Sequence, residues 1–450
     1  MVGSYIDEFT QKTIPKDYFY NLISDIKKLN KEFHAFNLIN EPKENGFPFS
    51  VKDNICVENI ETTASSMILK GYIPPFDATV VRRLKENNFQ FIGKTNMDEF
   101  GFGSFGIHSE TPARNPFDSN YVAGGSSSGS AIATSIIKYH ISIAESTGGS
   151  ISTPASFCGV VGFTPTYGLI SRYGLIDYSN SLDKIGIMAR STSDIWKVFD
   201  MIRGFDGMDS TSIDKEPIDD KVKNIVIIKE MTDGIDEIVL KEFERLIDHL
   251  KNDGFNIKYI GLSDINFSGP VYYIISMAEA STNLAKFNGF KYGYKVDDFS
   301  LNYNDFFTEA REVFGEEVKR RIILGTFIRS ASVKSKYYEK ALRLRSLLIK
   351  KMKLILKDAF ILSPTMPIMT PKIEDVEKLT PTQNYMLDKL TIPPNLCGFP
   401  HISFPFAYIN GLPLGVQLIA DHFQDYSLLS FVKNWENKFD YKFKCNLGEL

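Results

Sequence analysis

The stretch from residue 121 to residue 154 reads YVAGGSSSGSAIATSIIKYHISIAESTGGSISTP. It holds two Gly-Ser clusters, at 124–130 and 147–150, separated by a small-residue helical segment and a short β-like run over 140–144. Apolar segments flank both clusters closely, whereas a flexible linker repeats Gly and Ser without such neighbours. Glycines placed in this way let backbone N–H groups approach a ligand, and the serines offer nucleophilic hydroxyls. One such cluster is typical of an ordinary turn. Two in succession, together with a suitable remote lysine, favour a functional site.

Lys52 is the candidate partner of these serines. It follows the apolar segment FPFSV at 47–51, which predicts that it lies at the end of a buried strand. Most lysines lie on solvated surfaces. In apolar surroundings, however, the charged form of an amine is disfavoured, and a neutral amine can act as a general base near pH 7. Lys52 could therefore activate a serine without any histidine.

Strands and helices alternate on both sides of the clusters. A helix over 78–87 precedes a strand over 89–93, and a later strand at 223–229 is followed by a helix at 235–253 and a strand at 255–260. Such alternation predicts an α/β fold with a mixed central β-sheet covered by helices on both faces.

The remaining elements extend this pattern. Helical spacing within 15–40 and at 193–204 predicts amphipathic helices, the second with Trp196 facing inward. The chain is predicted to be largely helical and charge-rich over 272–357. Further apolar strands are predicted near 360–365, 401–406 and 415–419, and a last helix over 426–439.

Composition narrows the class of protein. The chain has 450 residues, of which 43% are hydrophobic and 24% charged, as in an ordinary globular protein. Its net charge of −4 argues against nucleic-acid binding through its own surface, which usually needs a basic field. The start of the chain lacks a signal-peptide pattern and no apolar run reaches about 18 residues, so we expect a cytoplasmic protein without membrane contact.

Cysteines and histidines give no metal or disulfide pattern. The cysteines are far apart in sequence and form no C-x-x-C pair, which favours free thiols in a reducing compartment. The 6 histidines show no zinc-ligand spacing, so we expect no metal site. The cysteines are Cys56, Cys158, Cys397 and Cys445.

Motifs along most of the chain resemble the amidase signature family. They are VKDN at 51–54, GKTNMDEF at 93–100, the two Gly-Ser clusters, CGVVG at 158–162, PTYGL at 165–169, SRYG at 171–174, SLD at 181–183 and GLP at 411–413. Within the family, FGEEVKRRIILGT at 314–326 and YMLD at 385–388 resemble the A-type subunits of glutamyl-tRNA(Gln)/aspartyl-tRNA(Asn) amidotransferases. The resemblance implies one amidase domain over 1–450, with a signature core at about 45–200 and a helical substrate-side region at about 272–357.

The resemblance also implies a Ser-Ser-Lys triad. Ser150, which closes the second cluster, would be the nucleophile that is acylated. Ser126, which in the family follows a cis peptide bond, would relay protons between Ser150 and Lys52. Lys52 would be the base and then the acid that protonates the leaving amine.

Further site residues follow from the same resemblance. Backbone N–H groups of Thr147, Gly148 and Gly149 would form the oxyanion hole, because small residues there leave a concave nest for a carbonyl oxygen. For a free glutamine substrate, Arg321 would bind the α-carboxylate in a bidentate pair and Asp388 the ammonium group. The neighbouring Arg320 competes with Arg321 for this role, and either Tyr272 or Tyr273 would line the pocket.

Three positions depart from the family pattern, and Ser128 is the mildest of them. Ser146 and Ser152 stand where family members usually carry Asp and Arg, and Ser128 stands where glycine is frequent. Because the usual Asp and Arg are oppositely charged neighbours, loss of both leaves no orphan charge, which indicates compensation. We expect Glu145 to take over part of the vacated role.

The leading hypothesis is a glutaminase subunit that supplies ammonia to a tRNA-dependent amidotransferase. Its partners would be B-type and C-type subunits; one of these would use ATP and magnesium and carry most tRNA contacts. This chain would need no cofactor, since residues 124–130 lack the Gly-Lys-Ser/Thr ending of a P-loop. The alternatives are a stand-alone amidase that acts on small amides and a catalytically silent scaffold subunit.

Overall fold

The protein is described here by a computed structural model that covers residues 3–42 and 44–438. Within this part of the chain the strands form one mixed sheet of 11 strands, in the order β1-β3-β2-β4-β6-β5-β10-β11-β9-β7-β8. The strands are β1 (Phe36–Ile39), β2 (Phe47–Lys52), β3 (Phe89–Thr95), β4 (Ile141–Ser146), β5 (Val161–Thr164), β6 (Lys184–Ala189), β7 (Asn224–Ile228), β8 (Asn256–Ile260), β9 (Ala359–Pro364), β10 (His401–Ile409) and β11 (Leu412–Ile419).

Helices connect and cover these strands. They are α1 (Tyr5–Gln11), α2 (Tyr18–Phe33), α3 (Thr79–Glu86), α4 (Ser128–Ile136), α5 (Ser152–Phe157), α6 (Thr192–Ile202), α7 (Glu237–Asn252), α8 (Ser268–Asn283), α9 (Tyr303–Glu312), α10 (Glu316–Arg329), α11 (Tyr338–Leu356), α12 (Ile373–Val376), α13 (Pro381–Leu387), α14 (Ile392–Cys397) and α15 (Asp425–Lys438). No helix in the described ranges is both long enough and apolar enough to cross a membrane.

The sheet is covered on both faces, as the strand β7 illustrates. Ile225 and Ile227 pack into a core shared with α3, α6, α7 and α15, whereas Val226 and Ile228 pack into a core shared with α8, α11 and α14. Since successive side chains of a strand point to opposite faces, these two cores lie on opposite sides of the sheet. The α/β class and the covered mixed sheet agree with the sequence prediction.

The strand order places the carboxyl ends of β2 and β4 side by side. Strands β2 and β4 are parallel neighbours, with Val51 opposite Ile143. Parallel strands present their carboxyl ends at the same edge of a sheet, so Lys52 at the end of β2 lies beside the segment that continues from β4. Helix α4, which follows the first Gly-Ser cluster, runs directly into β4 and brings that cluster to the same edge.

Several strands and helices differ from those predicted from the sequence. Strands β1, β5 and β6 were not predicted, and the helical region begins at Ser268 rather than at residue 272. Trp196 is partly buried, packs against the hydrophobic core and stacks on Tyr426 at 4.9 Å, which agrees with its predicted inward position. The end of the predicted last helix, Phe439, and also Cys445 lie outside the described residues.

Candidate active site

Lys52 lies at the centre of the carboxyl edge and is fully buried. Its Nζ is 2.7 Å from Ser126 Oγ, 2.8 Å from Glu145 Oε2 and 3.1 Å from the Glu145 carbonyl oxygen. The burial agrees with the sequence prediction, but the apolar surroundings do not. Lys52 contacts a carboxylate, because β4 lies next to β2 and directs Glu145 toward it.

The two Gly-Ser clusters meet beside this lysine. The peptide bond between Gly125 and Ser126 is cis, as the resemblance implies. The backbone N–H of Ser127 donates to the carbonyl oxygen of Ser150 at 3.2 Å, which ties the first cluster to the second. Ser126 is fully buried and Ser150 is 7% exposed. The structure therefore brings all three members of the expected triad to one edge of the sheet.

A second carboxyl group extends the polar network behind the lysine. The hydroxyl of Thr147 is within hydrogen-bonding distance of Glu145 Oε1 and lies 2.8 Å from Asp183 Oδ1. Burial and the nearby charge of Glu145 raise the pKa of Asp183 well above its usual value. Backbone N–H groups of Tyr178 and Ser179 donate to its other oxygen. The side chain of Thr147 thus points into this network, and not toward a substrate.

Ser150 opens into a narrow cavity of about 10 Å³, room for about one water molecule. Its wall is shared by the Gly-rich loop 101–106, the first Gly-Ser cluster, the loop 147–150 that carries the predicted nucleophile (the nucleophile loop) and the helical region. The lining residues are Gly101, Gly103, Ser104, Gly125, Gly148, Gly149, Ser150, Tyr272, Tyr273, Arg321 and Asp388. The structure thereby brings the predicted glutamine-binding residues, which are remote in sequence, next to the predicted nucleophile.

Asp388 is held at the wall of this cavity by two hydroxyl donors. Ser104 donates to its Oδ2 at 2.6 Å and Tyr273 at 2.8 Å. Burial raises the pKa of Asp388 to about 6, despite these hydrogen bonds and the charge of Arg321. Near neutral pH the cavity therefore contains a buried carboxylate that is ready to accept a cation.

Arg321 is buried in an aromatic cage, and not in a surface ion pair. Its guanidinium carbon lies 4.7 Å from the ring centre of Phe102 and 5.6 Å from those of Tyr273 and Tyr385. Its Nε donates to Glu317 at 2.9 Å. Although burial opposes the charged form, Glu317 raises the pKa of Arg321, so the guanidinium stays charged.

The structure distinguishes Arg321 from Arg320. Arg320 also pairs with Glu317, but its side chain is 40% exposed and it lines a different cavity of about 690 Å³. Glu317 lines that larger cavity too, so the Arg321–Glu317 pair joins the walls of both cavities. Sequence reasoning left Glu317 without a role, although its position four residues before Arg321 on a helix is the usual spacing of an ion pair.

Both candidate tyrosines line the small cavity, with different contacts. Tyr272 packs against the nucleophile loop: a Cβ on Gly148 would come within 2.6 Å of its ring. Its hydroxyl lies 2.8 Å from that of Tyr178. Tyr273 instead donates to Asp388, so the two adjacent residues have different partners at the cavity.

The loop 147–149, which is predicted to form the oxyanion hole, also contacts Thr391. Thr391 Oγ1 donates to the carbonyl oxygen of Gly148 at 2.9 Å. Gly149 has a φ of +146°, and a Cβ there would come within 2.2 Å of Thr391 Oγ1. No other residue type fits this position without displacing Thr391, which the sequence motif did not reveal.

The positions that depart from the family pattern are fully buried. Ser146 donates to Asn395 Oδ1 at 3.1 Å, whereas the hydroxyls of Ser128 and Ser152 have no hydrogen-bond partner among the described residues. Glu145 bonds to Lys52, Asn54 and Thr147. The hydrogen bonds of Glu145 therefore involve the predicted base, Lys52, and its two polar neighbours.

No group of three or more His, Cys, Asp or Glu side chains within 3–42 and 44–438 is arranged to hold a metal ion. The cysteines in these ranges, Cys56, Cys158 and Cys397, are free thiols.

The covered mixed sheet and the serine-rich loops at its carboxyl edge define an amidase-type α/β protein. The chain belongs to the amidase family, whose sequence profile matches residues 32–429. It is 40% identical over 455 residues to the A-type subunit of a glutamyl-tRNA(Gln) amidotransferase from Sulfolobus acidocaldarius, with 94% of each chain covered. A second such A-type subunit, from Clostridium acetobutylicum, is 43% identical over 395 residues, covering 84% of this chain and 82% of the relative.

A solved structure extends the similarity to three dimensions. The crystal structure of the A-type subunit of a glutamyl-tRNA(Gln) amidotransferase from Thermotoga maritima superposes with a TM-score of 0.78 at 34% sequence identity. The match covers 94% of this chain and 93% of that chain. The likeness therefore extends over nearly the whole length of both chains.

Proposed function

We propose that this chain is the glutaminase subunit of a tRNA-dependent amidotransferase. It hydrolyses glutamine to glutamate and ammonia through Ser150, Ser126 and Lys52. The ammonia converts misacylated Glu-tRNA(Gln) or Asp-tRNA(Asn) to Gln-tRNA(Gln) or Asn-tRNA(Asn) on a partner subunit. The names of the similar subunits from Sulfolobus, Clostridium and Thermotoga favour the Glu-tRNA(Gln) reaction.

One observation carries the choice of glutamine over a simple amide: a buried cation and a buried anion line the cavity of Ser150. A free amino acid carries an α-carboxylate and an α-ammonium group. Arg321 binds the first through the guanidinium nitrogens that Glu317 does not occupy, and Asp388 binds the second. A small uncharged amide would leave both buried charges without a ligand.

Hydrolysis proceeds by acyl transfer to Ser150. Ser126 accepts the proton of Ser150 while passing its own proton to a neutral Lys52, and the Ser150 oxygen bonds to the amide carbon. N–H groups of the loop 147–149 stabilise the oxyanion. The proton returns through Ser126 to the leaving nitrogen as the C–N bond breaks and ammonia departs. Water then repeats the sequence on the acyl-enzyme and releases glutamate.

The small size of the cavity implies a conformational step before glutamine binds. Because about 10 Å³ holds little more than one water molecule, the cavity must widen before glutamine enters. Tyr272 and Tyr273 lie on α8, outside the sheet, and line the cavity from the helical side. Contact with a partner subunit would act on this helical side.

The partners follow from the same proposal. B-type and C-type subunits complete the hetero-oligomer, in the cytoplasm, and the B-type subunit carries ATP, magnesium and most tRNA contacts. The chain's own net charge of −4 fits a subunit that leaves tRNA binding to its partner. In this proposal, glutamine hydrolysis takes place on this chain and amidation of the tRNA-bound amino acid takes place on the partner.

The test is release of ammonia and glutamate from glutamine by the purified chain, alone and with its partner subunits. We expect partner-stimulated turnover that Ser150→Ala abolishes. Ser346→Ala, on the exposed face of α11, is the matched control and should keep full activity. Ser150-dependent hydrolysis of simple amides without glutamine turnover would instead show a stand-alone amidase. Inactivity toward every amide would show a scaffold.

A further inference from the structure

Glu145 is the one carboxylate that bonds directly to Lys52 in the described chain. Its Oε2 lies 2.8 Å from Lys52 Nζ, and both side chains are at most 1% exposed. With Ser126 Oγ and the Glu145 carbonyl oxygen, Nζ has three acceptors within 3.1 Å. Three acceptors match the three N–H donors of an ammonium group, whereas a neutral amine has only two.

Thr147 and Asp183 lie behind Glu145. Thr147 Oγ1 is within hydrogen-bonding distance of Glu145 Oε1 and lies 2.8 Å from Asp183 Oδ1. Burial and the nearby charge of Glu145 raise the pKa of Asp183 well above its usual value. Of the two neighbouring carboxyl groups, Glu145 is the one that contacts Lys52 Nζ.

The other polar groups that face the Lys52–Glu145 pair are uncharged amide and hydroxyl groups. Asn54 Nδ2 lies 3.3 Å from Glu145 Oε2. Tyr178 and, on α8, Tyr272 approach from the cavity side; burial raises the pKa of both hydroxyls, so they stay protonated. Arg321 on α10 lies beyond these tyrosines and interacts with them. Lys52 and Glu145 thus form a local pair of opposite charges.

We propose that Glu145 is a positioning residue that holds Lys52 as an ammonium ion between turnovers and so sets the lowest pH at which Ser150 is activated. The inference rests on the proposed hydrolytic function. Before attack, the Lys52 ammonium releases one proton to water and becomes an amine. Glu145 takes no proton in the cycle: protons pass among Lys52, Ser126, Ser150, the leaving nitrogen and the attacking water. The carboxylate delays deprotonation because an opposite charge favours the charged form of an amine.

A reaction that needs no glutamine measures this directly. A fluorophosphonate probe forms an Oγ–P bond with an activated serine and loses fluoride, so its labelling rate at Ser150 reports the relay. In Glu145→Gln the amide keeps the size and an acceptor oxygen for Lys52 but lacks the charge. We expect the acid limb of the pH–rate profile to move to lower pH by about 1 to 3 pH units. Glu145→Asp keeps the charge and should stay closer to wild type.

Matched controls separate the local charge from burial in general. Glu436 is also buried and accepts hydrogen bonds from Thr192, but it lies on α15, away from the carboxyl edge. Glu436→Gln should leave the acid limb in place. Ser150→Ala should abolish labelling and so identify the labelled serine.

The inference is overturned if the acid limb of Glu145→Gln coincides with that of wild type or moves to higher pH. It is also overturned if a folded Glu145→Gln loses labelling at every pH, since Glu145 would then be needed for more than setting protonation. Labelling at Ser150 without glutamine hydrolysis would reject the proposed function and still decide the role of Glu145. Absence of labelling in the wild-type chain would overturn both.

Discussion

The two walls of the Ser150 cavity are built differently. On one side, the wall is formed by Ser150 and the glycines of the loops at the carboxyl edge, and Lys52, Ser126 and Glu145 lie behind it, all within residues 52–150. On the other side, Tyr272, Arg321 and Asp388 come from α8, α10 and the turn after α13. Hydrogen bonds of the sheet fix the first wall, whereas side-chain packing between helices fixes the second. We therefore expect changes in the first wall to affect the chemical step and changes in the second to affect substrate binding.

The largest effect is expected from breaking the Lys52–Glu145 pair. Lys52→Met keeps most of the side-chain volume but removes the base, so the chemical step should slow by about 10²- to 10⁴-fold. It also leaves Glu145 buried without a counterion, which should cost about 3–5 kcal/mol of unfolding free energy. Urea denaturation and Ser150 labelling measure the two effects separately.

The double variant Lys52→Met with Glu145→Gln sharpens this test. Removal of both charges leaves no orphan ion, so most of the lost stability should return while activity stays low. Equal stability of Lys52→Met and wild type would show that the pair is not ionised in the folded protein. Recovery of activity in the double variant would show that Lys52 is not the base.

A smaller effect, confined to binding, is expected at Asp388. Its pKa of about 6 means that the carboxylate is charged above pH 6 and becomes neutral as the pH falls through that value. Glutamine should therefore bind more weakly at pH 5 than at pH 7, by about tenfold, because its ammonium group loses its partner. Calorimetry on the Ser150→Ala variant measures the dissociation constant without turnover.

Asp388→Asn is the control for this pH dependence. It should weaken glutamine binding at pH 7 and remove the difference between pH 5 and pH 7. A wild-type dissociation constant that does not change between these pH values would argue that another group binds the ammonium. Labelling of Ser150, which does not need glutamine, should be nearly unchanged in Asp388→Asn.

The same contrast explains how much of the molecule could be predicted from its sequence. The buried strand before Lys52 and the two Gly-Ser clusters are contiguous patterns, so they could be recognised without the fold. The contact of Glu145 with Lys52 depends on β2 and β4 being neighbours, and no local pattern contains the strand order. Strands β5 and β6 escaped prediction because they lie among turn-rich segments with weak alternation.

The residues on helices that line the cavity were harder to predict from the sequence, because their orientation depends on tertiary packing. The choice between Arg320 and Arg321 depends on which face of α10 turns inward, and neighbouring helices decide that. The Tyr272–Tyr273 alternative had no single answer, since the first contacts the nucleophile loop and the second contacts Asp388. The partner of Arg321, Glu317, could have been found from its spacing of four residues on a helix.

The smallest expected effects concern the serines that replace the usual Asp and Arg. The Ser152 hydroxyl is buried without a hydrogen-bond partner in the described chain, so Ser152→Ala should leave stability unchanged or raise it by about 1 kcal/mol. Ser146→Ala removes a hydrogen bond to Asn395 and should lower it by about 1 kcal/mol. Thermal unfolding compares the two variants directly. A larger loss in Ser152→Ala than in Ser146→Ala would mean that Ser152 has a partner in solution. The expected order would instead show that, of these two serines, Ser146 is the one that stabilises the protein, through Asn395.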